Sequence, residues 1–260
     1  MSALITILLP FFNEEGWIGA TIDSLIAQHD QRFHLILLDN ASTDGGRAEA
    51  ERHLARWEAG MSRIVPVAIP GKTNALSAGL SLVTTPYVAI CDADTHYPPC
   101  YIANCLKLFA AHADATAVMA IDLYDAADSA AAKRRMNRVL GKARRNRDRC
   151  HAGGYAQAFR TDALRQAGGF DTQRWPFVLE DHEIIHRVHR LGISLYDAGH
   201  YCHPSTRRAD RRCVSWTRFE RLLYRFLPRS RMDWFFYEFL WRRLEHRRAF
   251  AAALREKNWT

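Results

Sequence analysis

The chain has 260 residues, 48% of them hydrophobic, with six cysteines and 36 Lys/Arg against 28 Asp/Glu, a formal charge of +8. That size suits a globular enzyme with a large core, built as one domain or as two halves sharing a sheet. The cysteines (Cys91, Cys100, Cys105, Cys150, Cys202, Cys213) are scattered, with no Cys-x-x-Cys pair and no zinc spacing, and read as reduced cytoplasmic thiols. The first apolar run stops at Phe12, too short to cross a bilayer, and no basic segment leads it as in a secretory signal.

The charge is uneven. Residues 1–206 hold 21 Lys/Arg against 22 Asp/Glu, whereas 207–260 hold 15 against 6. A second basic island, Lys133 to Arg149, carries nine Lys/Arg and one acid, Asp148. Such clusters attract phosphates, anionic lipid or nucleic acid. Nucleic acid is not expected, because no aromatic platform or known motif accompanies the arginines.

In chain order, Leu4 to Leu9 reads as a strand closed by Pro10, and Asn13 as the N-cap of a helix bearing Ile18, Ile22, Leu25 and Ile26. Phe33 to Leu38 repeats the strand pattern and ends at Asp39, followed by a helical stretch to about Trp57. Ile64 to Ile69 is a third strand, and Lys72 to Leu82 a short helix after Pro70-Gly71. Alternating strands and helices imply a mostly parallel sheet, whose ligands bind beyond the carboxyl ends of the strands. No Gly-x-Gly-x-x-Gly follows the first strand and no Gly-x-x-x-x-Gly-Lys-Ser/Thr occurs, so neither a dinucleotide fold nor a P-loop is indicated.

The apolar run Tyr87-Val88-Ala89-Ile90-Cys91 ends in Asp92-Ala93-Asp94. Read as extended chain, it sends both carboxylates to one side, a natural site for a hard cation or for sugar hydroxyls. Further on, the apolar Trp175 to Leu179 precedes Glu180 and Asp181, which open a helix running to Arg190. Those acids could simply favour a first helical turn, or they could deliver a carboxylate to a shielded site.

Leu9-Pro10-Phe11-Phe12-Asn13-Glu14-Glu15, Leu38-Asp39-Asn40-Ala41-Ser42-Thr43-Asp44-Gly45, Cys91-Asp92-Ala93-Asp94, Gly153-Gly154-Tyr155 through Arg160 with Ala167-Gly168-Gly169-Phe170-Asp171, and Leu179-Glu180-Asp181-His182-Glu183 follow one another in order. Together they resemble a family 2 inverting glycosyltransferase of the GT-A fold, over about residues 3 to 203. The resemblance implies a mixed, mostly parallel α/β sheet flanked by helices. Residues 1–206 would be the catalytic domain, with about 1–115 binding the nucleotide sugar and about 116–206 the acceptor. It also implies roles: Asp39 on the base, Asp92 on the ribose, Asp94 on a Mg²⁺ or Mn²⁺ bridging the diphosphate, and Pro10, Phe11 and Glu14 flanking the base. Lys72 would lie near the base or phosphates and Asp181 would be the catalytic base. His203 lies where related enzymes place a histidine reaching the metal or the leaving phosphate. Phe11 reads equally well as a core residue.

Two departures matter. Ser77 stands where the family's Lys-x-x-Ala-Leu-Asn-x-Gly has Asn, and no Gln-x-x-Arg-Trp motif follows Asp181, unlike the processive synthases. A transferase of single sugars fits better, taking a UDP- or dTDP-sugar and a hydroxyl acceptor such as a lipid-linked saccharide, in cell-surface glycan synthesis. A non-catalytic sugar-nucleotide or membrane-binding module and a nucleotidyltransferase are the alternatives, although the latter would need a Gly-rich, Arg-containing loop after the first strand. The tail 207–260 is basic and rich in aromatics at helical spacing on both sides of Pro228. It is expected either to pack on the protein's own sheet or on a second subunit, or to lie on an anionic membrane, making the protein peripheral on its inner face. The island from Lys133 to Arg149 is expected to be a loop beside the acceptor cleft.

Overall fold

The computed structural model describes residues 2–57, 61–207 and 216–250. Strands β1 (Ile5–Phe11), β2 (Phe33–Asp39) and β3 (Ser62–Pro66) alternate with helices α1 (Ile18–Ile26), α2 (Gly46–Leu54) and α3 (Lys72–Ser81) before β4 (Tyr87–Ile90). The short β5 (Thr95–His96), α4 (Tyr101–Ala111), β6 (Ala115–Asp122), α5 (Ala130–Arg145), β7 (Gln157–Arg160), α6 (Thr161–Gln166), α7 (Glu180–Val188) and β8 (Ile193–Pro204) complete the sheet layer. The strand order is β3-β2-β1-β4-β7-β6-β8-β5. β3, β2, β1 and β4 are parallel, β7 runs antiparallel between β4 and β6, and β8 returns parallel to β6. β1 and β6 are buried at every residue, as strands covered on both faces must be. The mixed α/β sheet is the expected GT-A architecture.

Pro10 does not close the first strand. β1 continues to Phe11, with Pro10 opposite Leu38 and Phe11 opposite Asp39. The Leu8 carbonyl accepts from Cys91 N on the β4 side, so by the two-residue period Pro10 also faces that side, beyond the last β4 pairing at Leu8 and Ile90. Its missing N–H therefore costs no ladder bond. Asn13 does not cap α1 either. It sits at φ 53°, its side chain accepts from Thr43 N at 2.8 Å and donates to Thr43 Oγ1 at 3.2 Å, and the helix begins only at Ile18. Asn13 thus fastens the β1–α1 loop to the β2–α2 loop.

The basic island is a helix rather than a loop. Ser129 caps α5 by accepting from Ala132 N at 3.0 Å, and Ala132 and Val139 bury against Ile121 and Leu123 of the β6 end. A narrow apolar stripe and the ion pair of Arg135 with the buried Asp122, at 2.6 Å to both carboxylate oxygens, hold it to the body, and the narrowness of the stripe is why the sequence shows so little periodicity there.

After Pro204, α8 (Arg218–Phe226), a 3₁₀ turn (Arg229–Arg231), α9 (Met232–Trp234), a π-helical stretch (Phe235–Leu240) and α10 (Trp241–His246) form a helical cap. Its aromatic stretch packs inward: Phe235, Phe236 and Leu240 are fully buried against Trp175 and Phe177. Glu220, itself fully buried, closes a capping box with Thr217 and takes Arg243 at 2.7 Å and Arg247 at 3.2 Å. Among the described residues no helix is long and apolar enough to cross a membrane.

Trp175 centres this second core, edge-on to Phe177, Phe236 and Trp241, with its Nε1 donating to Val178 O at 3.0 Å. Trp175→Ala should cost about 3–5 kcal/mol. Urea unfolding of the variant should show the lowered midpoint, and a midpoint equal to wild type would mean the cap contributes nothing to global stability.

Candidate active site

The carboxyl ends of β1, β2 and β4 bring the predicted donor residues to one rim. Asp39 ends β2 almost fully buried; one carboxylate oxygen accepts from Ser42 N at 3.0 Å and the other lies 3.4 Å from Arg47. Asn40, whose role the sequence did not reveal, donates to Val67 O and Ile69 O and accepts from Gly71 N at 2.7 Å, tying the ends of β2 and β3 to the start of α3. That tie sets Lys72, the first residue of α3, over the same rim. Pro10 and Glu14 are buried, and Phe11 lies within the main core at 3% exposure, so its role as a packing residue is visible in the geometry.

Asp92 and Asp94 do not project from an extended strand. β4 ends at Ile90, and both acids lie in the turn leading to β5, where each meets its own cation. Lys72 Nζ is 2.5 Å from Asp92 Oδ1. Arg207, approaching from the far end of the sheet, pairs with both Glu14 and Asp94 through one terminal nitrogen, at 3.2 Å from Asp94 Oδ2, and stacks on the Trp17 ring. Burying two like charges together demands a cation between them, and here the guanidinium supplies it. The fully buried Tyr97 holds the turn from beneath: its hydroxyl accepts from Asp92 N at 2.9 Å and donates to Tyr155 O at 3.0 Å.

Among the described residues no three His, Cys, Asp or Glu side chains converge into a metal cage. A cation bound through a diphosphate needs less, since Mg²⁺ is commonly held by one or two carboxylates and the ligand's own oxygens. Glu14 and Asp94, already gathered around a positive group, fit that requirement. His203 pairs with His96 across β5 and β8, and its Nδ1 donates to Leu123 O at 3.1 Å, which leaves Nε2 as the acceptor nitrogen. Its described contacts are Leu123, Tyr201 and His96, and none joins it to Asp94.

On the acceptor side, Leu179 adopts φ 67°, a left-handed backbone unusual for a branched residue, and from there α7 starts with Glu180 and Asp181. Gln157 donates to Asp181 O at 3.0 Å, and an Asp181 carboxylate oxygen accepts from His182 N at 2.9 Å. The two halves meet at Gly154. A methyl group there would lie 3.3 Å from Lys72 Nζ and 3.6 Å from Asp181 Cβ, so residue 154 stands between these two side chains. The charges respond to the crowding. Burial followed by the neighbouring Asp181 charge raises Glu180 to about 7, with Lys72 pulling the other way. Burial opposes the Lys72 ammonium, but Asp92, Glu180 and Asp181 outweigh it and hold Lys72 above the usual lysine range. Glu183, by contrast, is turned into the protein, bound by Arg187 at 2.7 Å and by the Tyr237 hydroxyl at 2.5 Å. His182 meets the Tyr224 hydroxyl and is kept neutral by burial, its pKa lowered to about 4.

Residues 6–168 match the family model described as Glycosyl transferase family 2. The chain belongs to this family. An uncharacterized glycosyltransferase of Mycobacterium tuberculosis is 34% identical over 90 residues, 35% of this chain and 36% of its own length. A dodecaprenyl-phosphate galacturonate synthase of Rhizobium johnstonii is 30% identical over 99 residues, covering 36% of this chain and 29% of its own. The match thus spans about a third of these curated relatives. Among solved structures, a mannosyltransferase from Pyrobaculum calidifontis in complex with GDP-Man and Mn²⁺ superposes with a TM-score of 0.69 at 20% identity, over 99% of this chain and 77% of its own. Glucosyl-3-phosphoglycerate synthase from Mycobacterium tuberculosis, in complex with Mn²⁺ and UDP, gives 0.57 at 20% identity, covering 87% and 80%. These likenesses establish the GT-A glycosyltransferase fold.

Besides Asn40, Tyr97 and Arg207 are residues of this candidate site that sequence reasoning missed. Tyr97 is an aromatic in an otherwise unremarked turn, and Arg207 stands 193 residues from Glu14, where no local pattern signals the pairing. Two outcomes follow from the charges. Arg207→Ala removes the guanidinium that Glu14 and Asp94 share and that a bound cation would have to displace, so Mn²⁺ should bind several-fold more tightly in titration calorimetry; weaker binding would make Arg207 a support of the cation site rather than its competitor. Glu180 holds its proton more tightly when folded than the ordinary 4.5, so the native state binds more protons than the unfolded chain between about 4.5 and about 7. Stability should therefore fall as pH rises through that window. Melting curves of Glu180→Gln should lack this part of the decline, and an unchanged pH profile would show Glu180 to be ordinarily acidic.

Proposed function

We propose that the chain is a divalent-cation-dependent, inverting glycosyltransferase that moves a single sugar from a UDP- or dTDP-sugar to a hydroxyl of an acceptor. The observation that carries this reading is the approach of Lys72, with its partner Asp92, to Asp181 across Gly154. Donor-side and acceptor-side groups are thereby within one side chain of each other. Asp39 and Asn40 shape the base end of the cleft, and Asp92 with Lys72 receives the ribose and phosphates. Asp94 and Glu14, with His203 as a further candidate, would hold Mg²⁺ or Mn²⁺, which when bound neutralises the departing diphosphate.

In the reaction the acceptor oxygen bonds to the anomeric carbon as the bond from that carbon to the diphosphate breaks. The hydroxyl proton passes to Asp181, and the bonding electron pair leaves with the nucleoside diphosphate. Glu180, inclined to keep a proton by burial and by the neighbouring Asp181 charge, lies with Asp181 beside Lys72. The same raised proton affinity favours a second reading in which Glu180 is the base. The relative named for dodecaprenyl phosphate supports a lipid-linked acceptor, and with it a cytoplasmic protein peripheral to the membrane and serving cell-surface glycan synthesis.

Asp181→Asn should lower turnover by about 10²–10⁴-fold with donor affinity nearly constant, measured as nucleoside diphosphate release with acceptor and as donor binding by calorimetry. If Glu180→Gln shows that loss and Asp181→Asn does not, the base is Glu180. If neither slows transfer, a non-catalytic role is the better account. Asp94→Asn should instead weaken nucleoside diphosphate binding in the presence of Mn²⁺ and leave metal-free binding little changed, and unchanged affinity in both would remove Asp94 from the cation site.

A further inference from the structure

Helix α8 is two-faced in an unusual direction. Its inner face carries Tyr224 and the buried Glu220, while Phe219, Leu222 and Phe226, one helical stripe, are 54–68% exposed. Leu222, Leu223, Phe226, Leu227 and Pro228 together line a shallow, nearly wholly apolar surface. The exposed polar residues of the helix beside this stripe, Arg218, Arg221 and Arg225, are all cationic, and its one acid is turned inside.

Helix α5 adjoins this face. Arg149, in the segment after α5, donates to the carbonyls of Tyr224 and Leu227, and Cys150 N donates to the Tyr224 hydroxyl, so the C-terminal end of α8 is bolted to the segment that follows α5. α5 contains no acidic residue, and Arg138 and Lys142 are exposed on it. Burial, and then the surrounding Arg135, Arg138, Arg225 and Arg221, push the Lys142 ammonium below its usual range, as expected of cations gathered on one surface.

We propose that the outward stripe of α8 and the adjoining basic face of α5 form a docking surface for an anionic phospholipid bilayer, an inference that rests on the lipid-linked acceptor reading and gives it a location. Apolar side chains rimmed by arginines suit the boundary between headgroups and acyl chains. A second copy of the chain suits it poorly, because two such faces would oppose like charges. The placement also serves the site: Tyr224, on the inner face of α8, lies 3.2 Å from His182, the neighbour of Asp181. Docking through α8 sets the bilayer about one helix diameter, ~10 Å, from the acceptor-side carboxylates.

Flotation of the full chain with vesicles of phosphatidylcholine, alone or mixed with phosphatidylglycerol, tests this without any sugar substrate. Binding is expected on the anionic vesicles at low salt and should fall as salt rises. Phe219→Ser/Leu222→Ser/Phe226→Ser should reduce it at least about tenfold. Arg221→Gln/Arg225→Gln, both exposed and independent of the core, should reduce it about fivefold per arginine, whereas Leu191→Ser, another exposed apolar site, should change nothing. Failure of the wild type to float on anionic vesicles, or equal flotation of the wild type, stripe and arginine variants, would overturn the proposal. So would a stripe variant whose only change is loss of a dimer in sedimentation velocity. A chain that floats as expected yet transfers no sugar leaves the docking surface standing and removes the transferase reading, while transfer to a soluble acceptor without flotation removes docking alone.

Discussion

An ammonium group among three carboxylates is the constraint on which the cleft depends. Lys72 Nζ contacts Asp92 and feels Glu180 and Asp181, so it links the loop after β4 to the start of α7, two segments with no common secondary structure. Without that charge, Asp92, Glu180 and Asp181 would repel across the gap, and the loop after β4 and the start of α7 would be driven apart. Burial, and after it the Asp181 charge, raise the proton affinity of Glu180 even with Lys72 pulling the other way. A bound nucleoside diphosphate would add negative charge to the same place, which gives a physical reason for a divalent cation to accompany it.

The scaffold spends conformational strain and buried hydrogen bonds to hold this cluster. Leu179 takes a left-handed backbone directly before Glu180, and Tyr97 spans from Asp92 N to Tyr155 O beneath the glycine turn. Gly154 then keeps the space between Lys72 and Asp181 free of any side chain. Strain of this kind persists only where the surroundings over-determine it. The surroundings here are the second core, in which Trp175, Phe177 and Val178 immediately precede Leu179 and are clamped by the helical cap.

Much of the donor half was legible because its signals are local. Apolar runs ending in Asp39 and Asp92 mark strands whose carboxyl ends face one rim, and the parallel register then brings Phe11 beside Asp39 without further information. The errors came where long-range contacts overrode local propensity. Pro10 is tolerated mid-strand because its neighbour β4 has already ended, and Asn13 spends its side chain on Thr43, 30 residues away, instead of a helix end. α5 looked like a loop because only a narrow apolar stripe of it is buried, and its ion pair from Arg135 to Asp122 leaves no local pattern. Arg207 and Tyr97 had no signal at all, since each is defined by partners that only the folded sheet assembles.

The basic, aromatic tail was read as either self-packing or membrane-seeking, and the structure shows self-packing for part of it while α8 keeps an apolar stripe exposed. The aromatic stretch from Phe235 to Leu240 is drawn inward, where its π-helical turns pack against Trp175 and Tyr237 reaches Glu183 on α7. Glu183 is thereby locked to Arg187 and Tyr237, and Asp233 holds His186 at 2.8 Å, so one side of α7 is committed to the cap. Asp181 remains on the cleft side beside Gly154. α8, relieved of that packing duty, contributes only Tyr224, Glu220 and partly buried Leu223 and Leu227 to the core and keeps its other apolar residues outside. The cap that fixes the orientation of the acceptor-side helix is thus the element that also carries the exposed apolar stripe, and any surface that engages the stripe is mechanically continuous with the residue next to Asp181.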